Sequence, residues 1–467
     1  MRGASIRSFA KLFTCAAAVA FAGLFGGCGE QKQAVESKGG DAPKVETGPA
    51  AGAGASASAP VALEFWHYLN QAHEAVIKQI IADFEKENPG ITVRSIFQGN
   101  PQQLSQKLSG ALAATPPNNP AISLVYENWT SDYVSKGYLD AVENYFSGPD
   151  GLSQDDINDF VKVYREANTF EGKMYTLPFN KSMYTMYLNE DMLAKAGLTT
   201  APKTLDELKD AIKKMTVREE NRTKTFGMGL IPASEAFTSL YFACGGEYMD
   251  DKGNVTLNNP EALKALSLLH DLQYPEKYLY VSTDYMSTPF GNQQIALFIY
   301  SSASFPFNDK AVGGKFKWTV AGIPGDPAKP PRYVMQGTNI AIFKSHSEAE
   351  RKAAWKFVKF LTSKDSSVRF ATQTGYMPIR YSILSDPRMK EYMDKNPRYA
   401  TLSNFVFNDL GKAEPKVAVW EGVREDISQM VDRVLSKGTD PAQELKDTEA
   451  KARERVARYA TVKTEKK

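Results

Sequence analysis

The chain has 467 residues, 42% of them hydrophobic and 24% charged, enough for two globular domains with a large core. Its 56 Lys and Arg nearly balance 54 Asp and Glu, for a formal charge of +2. Three of those cations and no acid fall within residues 1–28, so the remainder sits at −1 and gives no electrostatic reason to expect nucleic acid as a partner.

Arg2, Arg7 and Lys11 precede an apolar run from Leu12 to Phe25. That run is too short to span a bilayer as a helix and fits a secretory signal. Gly26 and Gly27 then lead to Cys28, and "LFGGC" resembles a bacterial lipobox, with Phe25 where leucine is usual. Residues 1–28 are therefore expected to be a lipoprotein signal peptide, with Cys28 lipidated and anchoring the chain to a membrane. The plainer alternative is a cleaved signal with an incidental cysteine. Residues 29–60 are Gly, Ala, Ser, Pro and charge, too poor in apolar matter to fold, and read as a flexible tether. Of the three cysteines only Cys244 then remains, so no internal disulfide is expected. An exported chain held at the periplasm or cell surface follows.

The folded part opens with a strand over 62–69. Val76, Ile77, Ile80, Ile81 and Phe84 recur at helical spacing up to the breaker Asn88–Pro89–Gly90. A β-branched strand over 91–97, a helix over 102–114 and a strand over 121–126 complete a β-α-β series, which predicts a parallel sheet flanked by helices. Ligands bind outside the carboxyl ends of such strands, and Glu127 stands there. Around "PFNKS" (178–182) two strand-like pieces are expected, then a short helix ending at Gly197. Thr204 and Glu207 form a capping box at the start of the next helix. Further strands are read near 226–230, within 292–305, over 317–325 and over 338–344. Amphipathic helices are read over 261–273 and 347–363, another begins at Asp386–Pro387, and 422–461 is a charged helical region.

Motifs for catalysis are missing. The four histidines form no helical metal pair, and there is no phosphate-binding glycine loop and no G-x-S-x-G. No metal and no cofactor is expected. A pair of catalytic carboxylates leaves no such signature, so a secreted, lipid-anchored hydrolase of glycans or phosphoesters stays as the alternative.

The segments "EFWHYLNQAHEAVIKQIIADFEKENPGITV", "YLNEDMLAKAGLTTAPKTLDEL", "AAWKFVKFLTS" and "TGYMPIR" stand in an order that resembles the extracellular solute-binding proteins of bacterial ABC importers, in their carbohydrate-uptake, maltose-binding-like group. "QGN", "VYE", "PFNKS" and "TGYMP" resemble in particular the members that bind sn-glycerol 3-phosphate. The resemblance implies no enzyme. It implies an α/β, two-lobed periplasmic-binding-protein fold, with hinged lobes that each hold a mixed or parallel sheet. Residues 61–182 with 305–375 would form mainly one lobe, and 183–304 with 376–467 the other. A small solute (a sugar, a polyol phosphate or a glycerophosphodiester) would bind between the lobes of a monomer and pass to a membrane permease driven by its ATPase. The implied ligand contacts are Glu127, Ser182, Ser302 or Ser304, Gly337, Tyr376 and Lys416. Three departures bear on the ligand. Pro101 replaces a tyrosine, Cys244 a pocket tryptophan, and Lys416 an arginine, which removes a bidentate grip on phosphate.

Overall fold

The computed structural model describes residues 59–465 apart from residue 221. The signal peptide with Cys28, and the tether as far as residue 58, lie outside the described residues.

The first β-α-β series forms as read. Strand β1 (Val61–His67) leads through helix α1 (Gln71–Glu87) to β2 (Ile91–Phe97), then through α2 (Pro101–Ala113) to β3 (Ile122–Val125) and α3 (Glu127–Ser135). β1 pairs in parallel with β2 along its whole length and with β3 on its other side. The five apolar residues of α1 at helical spacing are all buried, and Asn70 caps its start by accepting from the His73 N–H at 3.3 Å.

Strand β4 (Thr176–Asn189) runs 14 residues without interruption and is buried throughout. Two pieces were expected around its proline. Pro178 has no N–H to give, and it sits opposite Asn339 beside a register shift in the partner strand, where the ladder is already irregular. Helix α4 (Leu205–Met215) starts at the predicted capping box, with the Glu207 N–H donating to Thr204 Oγ1 at 3.2 Å. Strand β5 (Arg222–Leu230), helices α5 (Ser234–Ala243) and α6 (Pro260–Gln273), and strands β6 (Leu279–Val281) and β7 (Ile295–Ser301) follow. Helix α7 (Phe305–Val312) leads to β8 (Trp318–Ala321) and the long β9 (Tyr333–Phe343), which begins five residues before the expected strand. Helix α8 (Glu348–Leu361) packs on β1 and β9, α9 (Lys364–Thr374) on α1, α10 (Trp420–Lys437) on α5 and α6, and α11 (Pro441–Glu465) on α6 and α10. The charged region expected over 422–461 is thus two helices, separated where Gly438 turns left-handed at φ +65°.

Among the described residues the strands join in the order β6-β5-β7-β4-β9-β3-β1-β2, with β8 beside β4. β5, β6 and β7 are parallel to one another, as are β1, β2 and β3. The antiparallel pair β4 and β9 links the two groups. β9 pairs with β3 through residues 339–342, and β4 pairs with β7 through 184–188. Residues 305–321 were expected with 61–182. Their strand β8 pairs antiparallel with residues 186–189 of β4, on the edge opposite β7, where Trp318 packs against Tyr187 and Phe305.

His67 shows how closed the first group is. It is buried, its Nδ1 accepts the Leu69 N–H at 3.2 Å, and its Nε2 lies 2.7 Å from Ser95 Oγ. Nδ1 must stay unprotonated to accept, so Nε2 carries the proton of the neutral ring. Burial lowers its pKa to about 4, with Glu74 opposing and Lys78 assisting. The unfolded chain then binds one more proton between pH 6.5 and about 4, so stability falls as pH falls through that window, by about 3 kcal/mol from this group. Thermal melts from pH 7 to pH 4 should show this loss, and the His67→Gln variant should show a flatter profile.

Candidate functional site

The carboxyl ends of both parallel groups face one another across β4 and β9. Between them lies a cavity of about 930 Å³. Tyr68 and His73 reach it from beyond β1, Gly99 to Pro101 from beyond β2, and Tyr126 from beyond β3. Tyr285 and Ser304 reach it from beyond β6 and β7, and Ser301 from the last position of β7. Ser182 of β4 and Gln336 and Gly337 of β9 lie at the junction. This is where an open α/β sheet places its ligands. A second cavity of about 580 Å³ adjoins the first and shares Asn100, Pro101, Tyr126 and Gln336 with it.

Four sequence-selected residues line the large cavity: Ser182, Ser304, Gly337 and Tyr376. Gly337 has φ +105°, and a Cβ there would lie 2.0 Å from Asn180 O, so only glycine lets β9 lie this close to β4. Tyr376 is buried. Its ring stacks on Phe370 at 5.6 Å and meets the edge of His73 at 5.2 Å, and burial raises its phenol pKa. Ser302 does not line the cavity; its hydroxyl sits behind the wall and accepts the Met183 N–H at 3.1 Å.

Glu127 lines the smaller cavity, at the first position of α3. Its Oε1 accepts from Lys181 Nζ at 2.7 Å. Lys181 is wholly buried and also donates to Gly337 O at 3.2 Å. Burial lowers the lysine pKa, and the attraction of Glu127 opposes that. Lys416 lies elsewhere. Its ammonium donates to Glu166 O and Thr169 O, each at 2.6 Å, and lines a separate cavity of about 650 Å³. Residues 413–415 border both that space and the 580 Å³ cavity. Cys244 ends α5, is buried, and touches none of the three cavities, and burial pushes its thiol up to about 11. Pro101 opens α2 under an Asn100–Gln103 capping box and lines both joined cavities.

Several site residues escaped the sequence reading. Asn180 donates to Tyr68 Oη at 3.0 Å and accepts from both the N–H and hydroxyl of Thr338, which ties the cavity floor to β9. The available signal was polar Asn-Lys-Ser inside an otherwise apolar strand. In the smaller cavity Arg424 of α10 is bonded to both Glu235 and Glu414, and Gln336 donates to Glu235 at 3.0 Å. Burial alone would raise the Glu235 pKa, but Arg424 and Gln336 outweigh it and hold the carboxyl low. Burial keeps Glu414 high, with Arg424 opposing and Glu235 adding to the rise. One guanidinium thus bridges two carboxyl groups, of which Glu235 is held charged and Glu414 is pushed toward its neutral form. Asn128 of α3 donates to Glu421 of α10 at 2.9 Å, bonding across the smaller cavity.

Residues 79–397 match the profile of the bacterial extracellular solute-binding proteins. The chain belongs to that family. The solute-binding chain is 28% identical over 383 residues to a binding protein of Brucella abortus (strain 2308), covering 79% of this chain and 87% of that one. It is 28% identical over 356 residues to the sn-glycerol-3-phosphate-binding periplasmic protein of Salmonella typhimurium, covering 73% and 79%. Among solved structures, UgpB from Mycobacterium tuberculosis in complex with glycerophosphocholine superposes with a TM-score of 0.76 at 23% identity, over 86% of this chain and all of that one. The GacH receptor of Streptomyces glaucescens, solved free and with acarbose, gives 0.72 at 21% identity, over 85% and 99%. The fold is therefore the two-lobed α/β fold of periplasmic binding proteins, and among the described residues no helix is long and apolar enough to cross a membrane.

Two stability measurements follow from this geometry. Gly337→Ala should cost at least about 2 kcal/mol in urea unfolding, from the positive φ and the contact with Asn180 O. Glu127→Gln should cost about 3 kcal/mol by leaving the Lys181 charge buried and unpaired, and adding Lys181→Met should recover part of that loss.

Proposed function

We propose that this chain is the receptor of an ABC importer. It captures a carbohydrate or a glycerol-phosphate-like solute between its lobes and delivers it to a permease. The observation that carries this reading is the joined pair of cavities at the carboxyl ends of both parallel groups, walled from both sides and floored by β4 and β9. Closing such a cleft presents a new surface to a membrane partner. The lobes in this reading are the β1–β3 group with its helices and the β5–β8 group with α10 and α11, divided within β4 and β9. Relatives named for sn-glycerol 3-phosphate, and structures solved with glycerophosphocholine or acarbose, support both a phosphate-bearing polyol and a sugar. Lipidation at Cys28 would hold the receptor at a membrane, and Cys28→Ala should move it from the membrane fraction to the soluble one.

We take Ser182, Ser304, the backbone of Gly337 and Tyr376 as the primary ligand contacts, with Glu127 as a second-cavity acceptor already oriented by Lys181. Lys416, bonded to two carbonyl oxygens, serves in this conformation as a brace between residues 413–417 and 166–169.

Purified protein incubated with sugars, glycerol phosphates and glycerophosphodiesters should return its ligand chemically unchanged, with a raised melting temperature. Product formation would favour the hydrolase instead. Tyr376→Phe should weaken the ligand about three- to tenfold by calorimetry, the worth of one hydroxyl bond, while the ligand-free melting point barely moves. Lys416→Ala should leave affinity within about threefold and lower the melting point, because the bonds it loses are to the protein's own backbone.

A further inference from the structure

The cleft carries a feature that the site residues above do not explain. Among the described residues the three most exposed aromatic rings are Tyr285 at 74%, Phe97 at 51% and Phe307 at 48%. All three line the 930 Å³ cavity. Phe97 ends β2 on one side of the cleft. Tyr285 follows β6 and Phe307 sits on α7, both on the other side. Apolar rings facing water contribute little to a fold, and their concentration at a single mouth marks a surface kept for a ligand.

Among the described residues the interior of this cavity holds no fixed charge. Its described lining holds no Asp and no Glu. Two lining groups are basic, Lys310 at the exposed rim and His73, whose pKa burial lowers. Arg424, the arginine in the described lining of the adjoining cavity, is engaged by Glu235 and Glu414. A phosphate monoester brings nearly two negative charges, and inside this chamber no buried cation stands ready to offset them, Lys310 being at the exposed rim. Hydroxyl and amide groups line it instead, among them Ser182, Ser304, Asn100 and Gln336. Such groups pair with rows of hydroxyls, while aromatic faces cover the C–H surfaces of rings.

We propose that Phe97, Tyr285 and Phe307 form an aromatic grip that determines specificity, and that the ligand is an uncharged carbohydrate of more than one ring rather than a phosphate monoester or phosphodiester. This rests on the receptor reading above and narrows it. The rings stand on opposite walls, so lobe closure brings them onto the ligand from both sides.

The test uses the purified chain with maltotriose, cellotriose, xylotriose, glycerol 3-phosphate and glycerophosphocholine as probes. At least one trisaccharide should raise the melting temperature, and Phe97→Ala, Tyr285→Ala and Phe307→Ala should each weaken that binding about tenfold. Because the rings are exposed, the ligand-free melting points of these variants should match the parent. Tyr285→Phe should keep parental affinity, since the ring and not the hydroxyl acts. Preferential binding of either phosphate probe overturns the grip while leaving the receptor standing. So does trisaccharide binding that all three alanine variants retain, and so does the absence of binding by all five probes. Turnover of a probe removes the receptor reading and the grip together.

Discussion

Asn180 O and the Cα of Gly337 lie so close that no side chain fits between them, and the rest of the cleft is built around that contact. It joins the middles of two buried strands that run antiparallel through the centre of the sheet. The ends of β4 and β9 are apolar and lie in the cores on either side. Their middles are polar: Asn180, Lys181 and Ser182 on one strand, Gln336, Thr338 and Asn339 on the other. Polar side chains buried at this depth need partners, and most of these are met on the facing strand or beside it, Asn339 Nδ2 excepted. Thr338 bonds Asn180, Lys181 bonds Gly337 O, and Asn168 reaches Asn339 at 2.9 Å. The floor of the cleft is therefore held by hydrogen bonds, which demand one register, whereas apolar packing tolerates several.

The same economy governs the charges. Lys181 is matched by Glu127, and Arg424 by Glu235 and Glu414. Each pair or triad is formed inside the protein, and Glu127, Glu235, Glu414 and Arg424 line the smaller cavity rather than the larger one. A receptor for a dianion would leave a cation unmatched at its centre, waiting for the ligand to complete it. Here Lys181 and Arg424 are already matched, and the interior of the larger cavity leaves hydroxyl, amide and aromatic surface open to a ligand.

Much of the fold was legible in the chain. The β1–α1–β2–α2–β3 series follows from periodicity and from breakers within single segments, and the caps at Thr204 and Asp386 are likewise local signals. Family resemblance brought Ser182, Ser304, Gly337 and Tyr376 to attention, and all four line one cavity. What stayed hidden depends on partners distant in sequence. Lys181 meets Glu127 across 54 positions and Arg424 meets Glu235 across 189, and no local pattern encodes either meeting. The place of β8 beside β4 is hidden for the same reason, since a four-residue strand says nothing of its neighbour. Pro178 read as a break because its own residue cannot donate. Only the register shift in β9 shows why the strand continues past it.

The turn at residues 375–378 joins these threads. Gly375 ends α9 in the left-handed region at φ +77°, and a Cβ there would press on Pro306 at 2.9 Å. One residue later the Tyr376 carbonyl accepts from the Tyr399 hydroxyl at 2.7 Å, and the Met377 N–H donates to Lys181 O at 2.8 Å. The backbone is thus fixed on both sides of the tyrosine, and by the residue whose side chain orients Glu127. Its ring is clamped between Phe370 and His73 with one edge on the cavity. A side chain so held has lost its rotamer freedom in folding, so contact with a ligand demands no further ordering of it. The exposed rings at the mouth are the opposite case. Phe97, Tyr285 and Phe307 stand exposed rather than clamped, Phe97 with only His67 as a ring neighbour and Tyr285 with only Tyr300 among the described residues. The cleft therefore has a rigid floor that sets geometry and an exposed aromatic rim whose burial would reward closure.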